Sequence, residues 1–599
     1  MALPAPASAL ALDGGDPRAD PKDTVAFSHT ETPVDTRNVT LEEYLHYASI
    51  TRAEEKVANE EYRANKSPRT WHKTARERLS KPSSGRRDLH NNAVLGQAQV
   101  DGDMEAEWKH ASRAVRTAGW GSAFYLIATD VLGPSQTPWS FSQLGYGPGF
   151  ALYTVFGILS GYSGLILWRL FIQLDSDRYP MRNLADIFYR IFGPGMKHFV
   201  NVAQAIQLIA VLGFLILLNG QGISQMAYGP DGSYPGICFV ACLVIFTVAG
   251  FFISQVRSLQ KFSWLANIGV FINLLTVFIV YTLCCADHWP LTNRMGVAAN
   301  YAPNYNAVMA TFGPQWKPGG PIVTFAGTPP DGFATGGTGF VATVNGVNQA
   351  LLCYGGAALF VFFLAEMRHP MDFWKSILCA QILIYVTYVV FGMVVYHYHG
   401  QFTYAPAVQG VSDYRWQTAL NVMNLVMGLI ACGLFGNIGV KIVYIEVFER
   451  LLHFPPIHTP RGRVWWAILS PAYWILGFVL AGAIPQFPLV SGLIGAIFGV
   501  GFTYILPAWA ALGFRVRRDA MLEGSERFDP NTGAVNYVDT GVRRLVRGFM
   551  KRPVVNLAHL VYFLGGLVIC GLGCYAAIIQ LMGAFASGVA TSFTCDSPV

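Results

Sequence analysis

Charged residues are scarce in this sequence of 599 amino acids. Asp, Glu, Lys and Arg together make up 13% of it, whereas hydrophobic residues make up 52% and aromatic residues 14%. Soluble domains are about one quarter charged. The deficit indicates that much of the surface faces something other than water, so the net charge of +6 is not a nucleic-acid-binding signal.

Signals for metal binding and for secretion are missing too. The Cys and His residues do not show the paired spacing of zinc sites, so we predict neither a metal nor a cofactor. Cys238 and most other Cys lie in or beside apolar runs, where Cys usually acts as a small hydrophobic residue, whereas Cys595 lies in a polar tail. The N-terminus has no basic leader and no apolar core long enough for a cleaved signal peptide.

The first part of the chain, residues 1–113, is polar and rich in Arg, Glu, Asp and Asn. We predict a partly disordered cytosolic tail, with a weak helical pattern at Leu41–Arg63 and a sequon at Asn38 that stays unglycosylated. A transmembrane domain is predicted over 114–585, and a short extracytosolic tail over 586–599.

Long apolar runs fill the transmembrane domain. A helix that crosses a bilayer needs about 20 apolar residues. We therefore predict an all-α membrane protein with eleven transmembrane helices. The candidate spans are Gly119–Gln143, Phe150–Leu174, Phe199–Met226, Gly236–Ser254, Phe262–Cys285, Gln349–Ala365, Ile377–His397, Ala419–Tyr444, Val464–Ile484, Val490–Leu512 and Val555–Phe585.

The distribution of Lys and Arg predicts the orientation. The loops after the even-numbered spans carry about twenty basic residues and the other loops about three, so the even set faces the cytosol. The N-terminus is then cytosolic and the C-terminus extracytosolic. Among the loops, 513–553 is basic and cytosolic, and 286–346 is extracytosolic. The latter is a surface excursion or, alternatively, a lid over the outer vestibule.

Two spans contain residues that interrupt a helix. The first span has Gly133 and Pro134 followed by Pro138, and the sixth has the adjacent pair Gly355 and Gly356. Proline removes a backbone donor and clashes with the preceding turn, so a regular helix cannot continue there. Inside a bilayer, such irregular backbone is tolerated where it is buried in protein or lines a cavity.

The two interruptions are five spans apart. This spacing is typical of two inverted repeats of five spans with one broken helix each. The ends of half-helices offer free amide groups for a carboxylate and free carbonyl groups for an ammonium group or a cation. A zwitterionic amino acid needs both. The alternative is that both helices are only kinked where they pack, because Gly and Pro are frequent in membrane helices.

Polar side chains within the spans are few. Asp130 is the one acidic residue deep in a span, where a carboxylate costs at least about 2.5 kcal/mol on insertion scales. It binds a substrate ammonium group or carries a coupled proton, unless the span begins later and Asp130 lies in a wet vestibule. Gln204, Gln207 and Asn424 reach the cavity or form hydrogen bonds between helices.

The residues around the interruptions carry a resemblance to a known family. The run from Gly133 to Gly149, GPSQTPWSFSQLGYGPG, resembles the first-span signature of the amino acid/auxin permease family. The run from Tyr354 to Phe373, YGGAALFVFFLAEMRHPMDF, is similar to the sixth-span pattern of that family. The resemblance covers about Ala118 to the C-terminus. The long polar tail and the loops resemble fungal members, including neutral amino acid permeases.

The resemblance implies a five-plus-five inverted-repeat transporter fold with an eleventh helix, and amino acid uptake that is usually coupled to protons. The sequence also departs from the family pattern. Val131 replaces a common glycine, and Ala357 stands where many relatives have a polar residue. Pro134, Ser135 and Gln136 replace a run of small and aliphatic residues. A specialised amine or metabolite is therefore an alternative substrate.

The function that we predict is a plasma-membrane symporter for an amino acid, with a proton as the coupled ion rather than sodium. A nutrient receptor of the same fold is an alternative, whereas a membrane enzyme would need convergent catalytic groups that the sequence lacks. The predicted proton-coupling residue is Asp130. The predicted substrate-binding residues are Thr129, Asp130, Gly133, Ser135, Gln136, Tyr354, Gly355 and Gly356.

Overall fold

The computed structural model is helical in every regular element that it describes, and it contains no strand within those residues. This agrees with the predicted all-α class. The residues that it describes, with short gaps in some ranges, are 39–64, 118–228, 236–256, 259–285, 322–411, 414–449, 452–455, 459–483, 487–522, 526–586, 593 and 595.

The described residues form seventeen α-helices. In chain order they are α1 (Leu41–Ala64), α2 (Trp120–Val131), α3 (Thr137–Leu144), α4 (Tyr146–Leu174), α5 (Leu184–Phe192), α6 (Pro194–Tyr228), α7 (Phe239–Ser254), α8 (Leu259–Cys285), α9 (Phe340–Cys353), α10 (Ala357–Glu366), α11 (Phe373–His399), α12 (Tyr414–Val443), α13 (Pro460–Ala483), α14 (Phe487–Ile494), α15 (Leu506–Asp519), α16 (Val542–Lys551) and α17 (Pro553–Ala586).

Helices lie over each of the predicted spans. Nine helical stretches within the described residues are long and apolar enough to cross a membrane, by length and composition. Helix α7 is shorter than these, with 16 residues. The first predicted span is divided into α2 and α3, with the 3₁₀ turn Pro134–Gln136 between them. Two π-helical turns, Gly495–Gly499 and Gly501–Ile505, connect α14 to α15.

Two predicted loop boundaries are wrong. Helix α9 begins at Phe340, whereas the loop was predicted to run over 286–346. The pattern was missed because Asn345 and Asn348 interrupt the apolar run, yet both are buried, and Asn345 donates to the carbonyl of Gly336. The basic loop predicted over 513–553 also contains helix, since α15 continues to Asp519 and α16 lies inside the predicted loop.

The weak helical pattern at Leu41–Arg63 corresponds to α1, and α1 belongs to the folded body. Arg52 forms an ion pair with Asp175 after α4, with 2.9 Å between Nη2 and Oδ2. Glu42 pairs with Arg544 of α16 at 3.0 Å. Helix α1 therefore joins two loops that were both predicted to be cytosolic. Residues 1–38 and 65–113 of the tail, including Asn38 of the sequon, lie outside the described residues.

The connection between α4 and α6 is held by a charged cluster around α5. Asn183 and Asp186 form a capping box at the start of α5. Burial by itself would raise the pKa of Asp186, but Lys197, Arg190 and Arg182 together lower that pKa to about 2. The carboxylate thus stays ionised, and its ion pair with Lys197, at 3.1 Å, ties α5 to α6.

The C-terminal tail is covalently attached to the start of α7. Cys238 and Cys595 form a disulfide, so the expectation that Cys238 acts as a small hydrophobic residue is wrong. The backbone carbonyl of Cys595 also accepts a hydrogen bond from the amide of Phe239, at 3.0 Å. The pairing escaped the sequence because the two cysteines are 357 residues apart.

Buried apolar side chains of the described residues form three clusters, two large and one small. The largest cluster includes residues of α2, α4, α9, α10, α11 and α15. The second cluster is built mainly by α6, α7, α12 and α13. The two interrupted elements thus share one core, and α6 and α12 contribute buried residues to both large clusters.

Candidate substrate site

The two interrupted elements end where the sequence predicts. Helix α2 stops at Val131, and the chain turns through Gly133 into Pro134 before α3 begins. Helix α9 stops at Cys353, and α10 begins after Gly356. Neither α3 nor α10 has a side chain that caps its N-terminus. The first amide groups of a helix have no partner within it, so the start of α10 can accept an anionic group. At the first break this end is the start of the 3₁₀ turn Pro134–Gln136, because the amide of Thr137 in α3 already bonds the carbonyl of Pro134.

The two interruptions are in contact. A Cβ placed on Gly356 would lie 2.8 Å from Oδ2 of Asp130, and it would also meet the side chain of Val131. At the other end of the two elements, the amide of Ala118 donates to the carbonyl of Glu366 at 3.1 Å, before α2 and at the end of α10. The structure therefore brings the predicted residues of the first and the sixth span together at one place.

Tyr388 of α11 connects both interruptions through its hydroxyl group. This oxygen accepts a hydrogen bond from the amide of Gly133, at 2.9 Å. It also lies within donating distance of the carbonyl of Cys353, at 2.9 Å, and of the carbonyl of Val131. The side chain is fully buried. Sequence reasoning missed this residue, because one tyrosine in an apolar span gives no local signal.

Amide side chains from neighbouring helices hold the free carbonyl groups near the breaks. Gln204 of α6 donates from Nε2 to the carbonyl of Ala358, at 2.9 Å, which confirms its predicted role between helices. Asn273 of α8 donates to the carbonyl of Leu132. Asn273 was not predicted, although an Asn within an apolar span is a visible signal for such a bond.

The predicted residues differ in how open they are. Gly133 is exposed, and a Cβ placed on it would meet no atom within 4 Å. Ser135 and Gln136 are partly exposed, and neither forms a hydrogen bond within the part of the chain that the structure describes. Oδ2 of Asp130 is buried and has no hydrogen-bond partner among the described residues. These residues lie at the first interruption, where Gly133 is the most exposed of them.

The other predicted residues are more tightly packed. The hydroxyl of Thr129 donates to the carbonyl of Ala266 in α8, at 2.9 Å, so it serves a contact between helices. Tyr354 is fully buried, with its ring 5.3 Å from that of Tyr388. A Cβ on Gly355 would lie 3.0 Å from the carbonyl of Leu352 in its own element. These predicted residues are therefore closely packed rather than open.

The charge and hydrogen-bonding groups of this place suit a zwitterion. It combines uncapped helix N-termini, which attract a carboxylate, with a carboxylate at Asp130, which attracts an ammonium group or a proton. Within the described chain, no group of three or more His, Cys, Asp or Glu side chains is placed to hold a metal ion. Two broken membrane helices that meet in this way are typical of membrane transport proteins.

Comparison with known families identifies the chain. The family described as transmembrane amino acid transporter protein matches residues 116–302 and 331–523. The chain belongs to this family of membrane transporters, as its first- and sixth-span motifs indicated. The two matched ranges include both interruptions.

Three similar proteins come from fungi. The N amino acid transport system protein of Neurospora crassa is 22% identical over 520 residues, which is 84% of this chain and 93% of the relative. A transmembrane transporter of Fusarium pseudograminearum is 24% identical over 399 residues, covering 66% of this chain and 74% of the relative. A transmembrane transporter of Gibberella moniliformis is 21% identical over 399 residues, covering 66% and 75%.

Solved structures show distant likeness. A Na⁺-coupled sialic acid symporter matches with a TM-score of 0.44 and 11% identity, over 83% of this chain and 99% of that chain. A nucleobase-cation-symport-1 family transporter matches with a TM-score of 0.39 and 13% identity, over 79% and 93%. Similarity at this level gives no information about the substrate or the coupled ion of the present chain.

Proposed function

We propose that this protein is a secondary active transporter that imports amino acids, of the neutral class, together with protons by alternating access. The observation that carries the proposal is the meeting of two uncapped helix breaks beside the unpartnered carboxylate oxygen of Asp130. The name of the Neurospora crassa relative, an amino acid transport system protein, supports the same substrate class.

The substrate lies between the two interruptions in this proposal. Its carboxylate and its ammonium group bind to the backbone and side chains of Gly133–Gln136 and Tyr354–Gly356. The openness of Ser135 and Gln136 supports their role, because their polar groups are not already used by other described residues. Thr129 takes part indirectly, since its hydroxyl fixes α2 against α8.

Asp130 is the residue that we propose for proton coupling. Its contact with Gly356 places the carboxylate at the junction of the two half-helices. A change in the charge of Asp130 alters which arrangement of the two elements is favoured. A ligand shifts this equilibrium only if it binds the two arrangements with different affinities. A proton suits this position better than sodium does. One carboxylate oxygen can accept a proton, but it is too few ligands to coordinate a sodium ion.

The proposed architecture has eleven membrane-crossing helices, of which the first ten form two inverted repeats. The division of the apolar core supports it, because the second cluster contains the third and fourth spans together with the eighth and ninth. We further propose a cytosolic N-terminus, an extracytosolic C-terminus and a plasma-membrane location. The Cys238–Cys595 disulfide supports this orientation, because it joins the tail to the start of α7 and disulfides persist in oxidising compartments.

The test is uptake of radiolabelled amino acids into vesicles that contain the purified protein, with and without an inward proton gradient. We expect gradient-driven uptake of at least one neutral amino acid and its loss in Asp130→Asn. Asp372→Asn is the matched control, because this carboxylate pairs with Lys375 at the opposite end of α10 and lies outside the site.

Each other outcome has a defined meaning. Gradient-driven uptake that survives in Asp130→Asn would contradict the role of this residue and keep the symporter. Sodium-driven uptake would contradict the proton. Binding of an amino acid without flux, in folded protein, would replace the transporter by a nutrient receptor. Flux of a specialised amine instead would contradict the amino acid substrate. It would also explain why Pro134 and Ala357 depart from the family pattern.

A further inference from the structure

A cleft lies between α4, α15 and α17, at the ends of these helices that carry the basic residues. Its cavity volume is about 50 Å³, and the cleft is partly open to the surroundings. It is distinct from the interrupted helices, and none of the proposed substrate residues lines it. Its polar lining comes from three different helices. These polar residues are Tyr162, Arg169, Gln173, Arg515, Arg518 and His559.

The cleft contains more positive charge than its acidic neighbours neutralise. Arg518 is bonded to Oδ1 of Asp519, with 3.1 Å to Nη2, and to Oε1 of Gln173, also at 3.1 Å. Asp519 is in addition 3.7 Å from Nε of Arg552. Arg169 and Arg515 form neither an ion pair nor a hydrogen bond within the described residues. Two guanidinium groups thus line the same cleft without a direct ion pair, and Asp519 interacts with Arg515 only at longer range.

A buried histidine provides a second, independent sign of a ligand. His559 is only 3% exposed, and its Nε2 lies 3.3 Å from the hydroxyl of Tyr162. Its Nδ1 is buried and has no hydrogen-bond partner among the residues that the structure describes. A buried polar atom without a partner costs about 1–3 kcal/mol, so a ligand group that bonds Nδ1 would remove an existing penalty.

The cleft is lined partly by apolar side chains, and its helices also carry apolar side chains that face the bilayer. Leu170 and Phe514 line it together with the arginines. On the same helices, Ile158 is 67% exposed and Val561 is 61% exposed, as expected for side chains that contact lipid tails. A molecule that occupies the cleft can therefore place an anionic group among the arginines and apolar chains against α4 and α17.

We propose that this cleft binds the phosphate headgroup of an anionic phospholipid from the leaflet on the side of the basic loops. The planar forks of Arg169 and Arg515 match the oxygen atoms of a phosphate group and are weakly hydrated, which favours binding in a partly buried cleft. Basic pockets between membrane helices are suited to such headgroups. The lipid would join α17 to α4 and α15 and stabilise that contact.

The test uses the full chain in nanodiscs of phosphatidylcholine with a minor fraction of phosphatidylinositol, and native mass spectrometry of the lipid that stays bound. We expect retention of the anionic lipid to fall about fivefold for each arginine removed, so about 25-fold in Arg169→Gln with Arg515→Gln. Arg517→Gln is the matched control, because it removes the same charge from α15 but does not line the cleft.

The outcomes separate the lipid from other anions. Equal retention in the double variant and in Arg517→Gln would overturn the site. Displacement of the lipid by millimolar inorganic phosphate alone would show that the occupant is a free anion and overturn the lipid assignment. Should the double variant fail to fold, the exposed Arg169→Gln alone gives the same decision, with an expected loss of about fivefold.

Discussion

The two interrupted elements differ in how their breaks are packed. Around the first break, Gly133 is exposed and a Cβ there would meet no atom within 4 Å. Around the second, Gly356 is buried and a Cβ would press on Val131 and Asp130. The first break is made by prolines and the second by adjacent glycines. Proline ends a helix without requiring close packing, whereas glycine permits another backbone or side chain to approach.

This difference assigns different work to the two breaks. In the proposed transporter, the open break would bind the ligand, because the side chains of Ser135 and Gln136 have no partner among the described residues. The packed break provides a fixed surface against which Asp130 is held.

The largest effect is expected from Gly356→Ala compared with Gly133→Ala. The methyl group at position 356 overlaps with Val131 and comes within 2.8 Å of Oδ2 of Asp130, so the second break must shift. Overpacking costs about 1–3 kcal/mol. Gly356→Ala should lower the melting temperature of the solubilised protein and abolish uptake. Gly133→Ala should keep the melting temperature and change the KM for the substrate.

The reverse result would contradict the comparison. If Gly133→Ala destabilises the protein and Gly356→Ala does not, the first break is the packed one. If both keep stability and transport, neither glycine lies at a contact that matters.

A second prediction concerns the bridge between the breaks. Tyr388→Phe removes the hydroxyl that accepts from Gly133 and faces the carbonyl of Cys353. Buried groups left without partners cost about 1–3 kcal/mol, so we expect uptake to fall about tenfold or more. Tyr385→Phe is the control, because its hydroxyl bonds Thr154 of α4 at 3.0 Å and does not bridge the backbone of the two breaks. Equal uptake in the two variants would show that transport does not depend on the hydroxyl group of Tyr388.

The smallest effect is expected from the amide side chains that hold the carbonyl groups. Gln204→Leu leaves the carbonyl of Ala358 buried in the packed break, whereas Asn273→Leu leaves that of Leu132 beside the open break. Water can replace the lost partner only at the open break. Chemical unfolding should therefore show a loss about 1 kcal/mol greater for Gln204→Leu. A greater loss for Asn273→Leu would reverse the assignment of open and packed.

The positions of the breaks were predictable from the sequence, because Pro134, Gly355 and Gly356 act on their own local backbone. The contacts that complete the site were not. Tyr388 meets Gly133 across 255 residues of chain, and Asn273 meets Leu132 across 141. The sequence pattern identifies a residue that cannot continue a helix, but it does not show which distant side chain satisfies the groups that this residue leaves free.

Errors at the boundaries have the same origin. The start of α9 was missed because Asn345 resembles a loop residue until its bond to the carbonyl of Gly336, at 2.8 Å, is known. Charge patterns were more informative, because ion pairs such as that of Arg52 with Asp175 join segments that were already assigned to the same side. The open or packed character of each break required the three-dimensional packing.

The bond between Cys238 and Cys595 closes the chain from α7 to α17 into a covalent ring. A protease that cuts once within this ring produces a nick, and both pieces remain one molecule until the disulfide is reduced. On a denaturing gel, a nicked protein therefore runs as one species without reductant and as two with it. The ring also keeps the final helix with its partners after such a cut, so that damage to one exposed loop does not by itself separate α17 from the other helices.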